Sequence, residues 1–307
     1  MSSARISWST WLTLAGMIVA AFVAPFFVTG WNPQAFQVVA NDPLLPKIQL
    51  WLTIIIAQAV LWVGCVGYLA ATLARTNSTT SEPGRHMRAA ALALLPVFVL
   101  FAFLGLKQSL VHSSIPPREL GGFDITNLPT FAGFGELVAG WTVWQMYVIR
   151  SIWQFKSSQE NEDGSKFVRY LELREDVLRL LLLAGVVLSL GTLATAALRN
   201  AVNFEKRTDY FPEEYVVMYG ALYSLLLLLA YLPVYTTFFA SAVKIRTRLC
   251  GEPPPNIMDF KSWNETREAL SEKLGLTLTS ASALGPPLSA LLPVIAGWAV
   301  HLLEAKK

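Results

Sequence analysis

Charge is what this chain has least of. Asp, Glu, Lys and Arg make up 15% of its 307 residues and hydrophobic residues 54%, whereas a soluble domain carries about 25% charge. That shortage excludes an ordinary water-soluble globular domain. Cysteine is almost absent too. Cys65 and Cys250 fall on different segments, so a disulfide framework is excluded, and both are expected to be reduced and structural. The three histidines, His86, His112 and His301, lie on three separate segments. A membrane di-metal oxidase or a two-histidine haem site needs clustered ligands, so neither fits. CxxC, GxSxG, HExxH and GxxxxGK[ST] are all missing, which removes a quinone-linked thiol oxidant, a serine hydrolase, a zinc protease and a P-loop enzyme. The formal net charge of +3 is spread along the chain, so nothing points to nucleic acid. No catalytic residue, metal ligand or cofactor is assigned.

What the chain does have is long uncharged runs, with a mean hydropathy of +0.46. The clearest is Tyr215–Val243, which carries no charge and is followed at once by Lys244, Arg246 and Arg248. At about 1.5 Å per residue it exceeds a hydrocarbon core of roughly 30 Å. It reads as a transmembrane helix with its basic end in the cytoplasm. The fold class expected is therefore all-α: a polytopic membrane bundle over residues 1–248, with spans at about 8–29, 47–73, 89–106, 131–149, 180–198 and 215–243.

The first run reads as an uncleaved span, because its apolar residues continue past the poor cleavage site at Val19-Ala20-Ala21. Between the fourth and fifth spans, FVRYLELREDVLR reads as a helix leading into the fifth. There Glu175 and Arg179 are four apart, and Arg169 and Glu172 three apart. The stretch before it, KSSQENEDGSK, reads as a polar loop, and its acids Glu160, Glu162 and Asp163 as solvated. With the amino terminus in the cytoplasm, thirteen Lys and Arg residues fall on the inner side and six on the outer side, and every inner segment contributes. The membrane expected is a cytoplasmic (inner) one.

Residues 249–307 read as a cytoplasmic tail. Pro253, Pro254 and Pro255 make a stiff connector. Ser262 and Glu265 offer a capping box for a short amphipathic helix that Gly275 ends. The last apolar run, Ala281–Leu303, contains Pro286, Pro287 and Pro293. It reads as a seventh span, a half-inserted (re-entrant) segment, or a helix on the cytoplasmic face. Lys306 and Lys307 favour a carboxyl terminus that stays inside.

Few polar residues interrupt the spans. Glu136 sits five residues inside the fourth, toward the outer face, in FAGFGELVAGW. A carboxylate in a span costs on the order of 3 kcal/mol and marks a functional site by default. Gly133, Glu136, Gly140, Val143 and Tyr147 share a helical face, and Lys107 and Arg199 are its candidate ion-pair partners. The plain alternative is a structural ion pair near the interface. Gln58, near the middle of the second span, and Gln145, in the fourth, complete the candidate polar site. A lone Gln more often glues two helices by one hydrogen bond. Pro233 should kink the sixth span, either as a hinge or as a way to fit an over-long helix. Tyr219, Tyr223, Tyr231 and Tyr235 recur on related faces of that helix.

Three functions are carried forward. The first is a membrane scaffold or complex subunit working through protein contacts, with the lipid bilayer, a membrane-protein partner or a second copy of itself (a homo-oligomer) as its partners. The alternative is a channel, pore-forming effector or small-solute transporter using Glu136 and Pro233. A lipid-modifying enzyme is a distant third, since no constellation of acids, bases or ligands supports it.

Overall fold

The computed structural model of the chain describes residues 8–29, 43–78, 119–120, 123–124, 128–159, 163–206, 212, 214–277 and 281–304. Seven helices account for nearly all of them: α1 (Trp8–Thr29), α2 (Leu45–Ser78), α3 (Leu128–Gln159), α4 (Asp163–Lys206), α5 (Glu214–Cys250), α6 (Ile257–Lys273) and α7 (Ala281–Glu304). Two short strands, β1 (Glu119–Leu120) and β2 (Phe123–Asp124), pair antiparallel ahead of α3, with Leu120 opposite Phe123. The protein is all-helical in class. α2, α4 and α5 are long and apolar enough to cross a membrane, while α1 and α7 contain shorter apolar stretches, Ala15–Pro25 and Leu288–Ala299. α3, which holds Glu136 and Gln145, is not among the three. The expected third span, 89–106, lies outside the described residues.

The central helix of the bundle is α4. It runs unbroken for 44 residues, about 66 Å at the usual rise. It touches α2, α3, α5 and α7 along its length, and β1 as well. Its first half is the charged FVRYLELREDVLR stretch and its second half is apolar, so it continues as one helix from the polar end of the molecule into the bundle. The expected polar loop before it is shorter than its composition suggests. Lys156–Gln159 extend α3, and Asp163–Lys166 begin α4.

Small residues set the helix contacts. α1 and α2 run antiparallel, and a methyl group at Gly16 would meet Val63, one at Gly64 would meet Met17, and one at Gly67 would meet Thr13. Without a hydrophobic drive between helices in lipid, such close backbone approach is what binds them.

The same device places α7. A methyl group at Gly185 of α4 would run into the Ser289 carbonyl oxygen, and one at Gly220 of α5 would stand 2.5 Å from the Pro293 carbonyl oxygen. Gly297 of α7 in turn faces Val216 and Val217 of α5 and Thr192 of α4. These pairings make α7 parallel to α4 and antiparallel to α5, seated in the groove between them. The prolines do not break α7. Pro293 has no N–H for the Ser289 carbonyl, and that carbonyl is the one turned against Gly185. The Val294 N–H donates to Ser224 Oγ of α5 at 3.1 Å. Because α7 runs with α4, Glu304 stands at the end of the bundle opposite Arg248.

α6 folds back along the basic end of α5. The Trp263 indole donates to the Cys250 carbonyl at 2.9 Å, and Arg246 Nη1 donates to Ser271 Oγ at 3.3 Å. The helix starts at Ile257, five residues before the expected cap. Ser262 lies inside it and donates to its own helix, to the Asp259 carbonyl, so it cannot serve as the N-cap. The stop at Gly275 is as expected. Its φ is 69°, its N–H donates to the Glu272 carbonyl, and the Leu276 N–H donates to the Ser271 carbonyl. These two bonds form a Schellman motif, which favours glycine at that left-handed position.

Candidate functional site

Three contacts tie α3 to α5 and fix their register. Tyr223 Oη donates to Glu136 Oε1 at 2.9 Å, Arg150 Nε donates to Thr237 Oγ1 at 2.8 Å, and Trp153 Nε1 donates to Ser241 Oγ at 2.7 Å. The offset is constant, so the two helices run parallel. Combined with the glycine contacts of α7, this register sets Glu136 level with Gly185 and Val186 of α4. On the other flank, a methyl group at Gly135 would stand 2.7 Å from the indole of Trp62 on α2.

Glu136 is thus deeper than its place in the sequence implies. Arg199 lies about 20 Å further along α4 at 1.5 Å per residue, while Arg179, where the charged half of α4 ends, is about 10 Å away. α3 starts late: Leu128 is level with the neighbourhood of Thr192, well short of Arg199. There Leu120 is buried and β1 packs on α4.

The partner that the structure gives Glu136 is the hydroxyl of Tyr223, which the sequence offered only as one tyrosine among four. Arg199, buried at the far end of α4, is not brought to Glu136. Lys107 lies outside the described residues. One turn before the acid, a methyl group at Gly133 would meet nothing within 4 Å among the described residues. Val143 and Tyr147, further along the same face, are buried.

The two glutamines are both buried and lie on either side of the Glu136 level. Gln58 faces α4, its Nε2 being 3.7 Å from where a methyl group at Gly191 would sit. Its Oε1 meets no hydrogen-bond partner among the described residues. Gln145 is fully buried, level with Asp176 of α4 and with Leu232 and Pro233 of α5, and neither its oxygen nor its nitrogen meets a partner there. The indole N–H of Trp141, one turn earlier on α3, is in the same position. Buried amides and indoles are ordinarily hydrogen-bonded, and an unmet one costs about 1–3 kcal/mol. These groups occupy successive levels of the bundle, from Gly191 down to Asp176 on α4, about 22 Å along the axis.

Below Gln145 the polar groups continue. Arg150, which bonds Thr237, also lies over the Tyr147 ring at 5.8 Å from its centroid. Thr236 and Thr237 both donate to the Pro233 carbonyl, at 3.1 and 2.9 Å. Such back-bonding from threonine adds to the bend a proline imposes. α5 nevertheless continues as one helix through Pro233. At this end the rings of Tyr170, Trp153 and Phe238 form a mutual cluster, the Tyr170 centroid 5.6 and 5.7 Å from the other two.

The column offers hydrogen-bond donors and acceptors and the Glu136 carboxyl, with Asp176 of α4 buried at the level of Gln145. Among the described residues no three His, Cys, Asp or Glu side chains gather in a way that could hold a metal ion. No protein-family model, no curated protein and no solved structure matches this chain.

Proposed function

We propose that this multi-pass membrane protein binds and passes a proton or a small hydrogen-bonding solute along the column from Gln58 through Glu136 to Gln145. Its spans are the six of the sequence reading with α7 added, the amino terminus and the basic end of α5 lying in the cytoplasm of a cell whose inner membrane holds it. The observation that carries this reading is the placement of Glu136: a carboxyl well inside the bundle, held by a hydroxyl. An acidic side chain at such depth is costly and marks a functional site by default. The buried glutamines above and below it extend the polar surface in both directions.

The test is flux in liposomes holding the purified protein. Glu136→Gln keeps an acceptor for Tyr223 but removes the ionisable group. The expected result is proton or solute flux in the wild type, lost in Glu136→Gln with the melting temperature in detergent retained. Flux equal in the two proteins, or absent in both over a range of pH and voltage, would sink the reading.

A membrane subunit acting through protein contacts is the second reading. The exposed apolar line on the outer side of α5 favours it. Neither reading gives the chain a catalytic step.

A further inference from the structure

α6 is held to the bundle at two places and lies open between them. Among its described side chains only Ser271 is buried, while Lys261, Thr266, Arg267 and Glu268 stand exposed. In its first half the Trp263 indole holds the Cys250 carbonyl. At its end, side chains of α4 and α5 converge. Arg246 Nη1 donates to Ser271 Oγ at 3.3 Å, Tyr170 Oη donates to the Leu274 carbonyl at 3.4 Å, and the Arg174 guanidinium fills the place where a methyl group at Gly275 would stand. Leu274 is buried beneath them. A glycine of positive φ flanks α6 on each side, Gly251 at 63° and Gly275 at 69°. An element that buries so little of itself belongs to the part of a fold that opens before the rest.

Tyr170 serves two structures at once. Its ring belongs to the cluster with Trp153 of α3 and Phe238 of α5, and its hydroxyl holds α6. The three rings stand at the basic end of the space between α3, α4 and α5. One turn deeper on α5 lies Val234, fully buried, on the same face as Tyr223 three turns earlier. From this end, the way to Val234 and on to Glu136 passes the rings. Swinging the Tyr170 ring aside breaks its bond to the Leu274 carbonyl.

We propose that α6 is a strap that gates the basic end of the column. Seated, it keeps the Tyr170 ring against Trp153 and Phe238, and the end is closed. Lifted from Arg246, Tyr170 and Arg174, it frees the ring, and the end opens. That the gate controls a flow rests on the reading of the column as a pathway; the movement of the strap does not.

The test is the rate at which a hydrophilic maleimide labels Val234→Cys in the full chain carrying Cys250→Ser, in detergent. Two further substitutions each release the strap. Gly275→Ala drives a methyl group into the Arg174 guanidinium at a left-handed position, and Arg246→Ala removes the bond to Ser271. Val202→Cys, equally buried near the other end of α4, is the control. The expected result is slow labelling at 234 in the parent, roughly fivefold faster labelling in each release variant for the loss of one ordinary hydrogen bond, and no change at 202. Three results would overturn the proposal: fast labelling at 234 in the parent, which shows an end open with α6 seated; equal rates in parent and release variants, which make α6 a fixed strut; and an equal rise at 234 and 202, which shows general loosening. Flux in liposomes is measured on the same release variants without Val234→Cys. A rise above wild type supports gate and pathway together. Faster labelling with no flux in any variant keeps the strap and sinks the pathway.

Discussion

Tyr223 donates the hydrogen bond that the structure gives Glu136, so the two side chains make separable predictions. Tyr223→Phe leaves the carboxyl without its donor and should lower stability by about 1–3 kcal/mol, read as a drop in melting temperature in detergent. Glu136→Gln should move that temperature far less. Gln145 makes the opposite prediction. Its amide has no partner among the described residues, so Gln145→Leu, of similar volume, should leave the protein as stable as the wild type or more so. If the column conducts, the same change should reduce flux; a large fall in melting temperature would instead show that the amide is bonded in the folded protein. The sequence singled out Glu136, Gln58 and Gln145 because polar residues are scarce in its spans. It could not supply Tyr223, because a pairing across 87 residues leaves no local pattern, and Tyr219, Tyr231 and Tyr235 look the same in the sequence.

Among the elements, α7 departs most from what its sequence suggests. Three prolines argue for a broken segment, yet the helix is continuous, and the Ser289 carbonyl, one turn before Pro293, packs directly against a glycine of the neighbouring helix. That packing depends on Gly185 and Gly220, which lie about 70 to 110 residues away, so no window of sequence around α7 could reveal it. The predicted consequence is asymmetric. Gly185→Ala and Gly220→Ala should each destabilise the protein by roughly 1–3 kcal/mol by forcing α7 away from its groove, while Gly133→Ala, which meets nothing within 4 Å, should be tolerated. Thermal melts of the three variants would show it, and equal melting temperatures would contradict the packing. α4 and α5 were more legible. Their long uncharged runs, and the acid–base pairs at helical spacing ahead of the α4 run, define most of both helices without help from tertiary contacts. The α6 start was missed because Ser262 and Glu265 have the right spacing for a cap, but the apolar Ile257 and Phe260 already begin the helix.

At the scale of the whole molecule, the register of the helices carries information that no single helix has. α3 enters late, so Glu136 is deep; α4 carries its charged half level with the later turns of α5; α7 runs with α4, so α6 and the end of α7 lie toward opposite ends of the bundle. The last of these is directly testable. Reporters fused after Gly251 and after Glu304 should give opposite readings of the side they lie on. The same reading from both would mean that α7 does not cross with α4. Hydropathy alone places apolar runs and their basic ends, which is why membrane character was evident from composition. Depth and direction depend on which residues meet, and those came from glycine contacts and three hydrogen bonds between α3 and α5.

The seat of α7 also has a consequence in time. The groove between α4 and α5 is built by residues that leave the ribosome before Ala281, so it exists before the helix that fills it. Until α7 is made, Gly185, Gly220 and Ser224 line an unfilled slot, and the bundle is assembled around a missing member. A product stopped short of α7 presents to the quality-control machinery of its membrane the open slot that α7 closes.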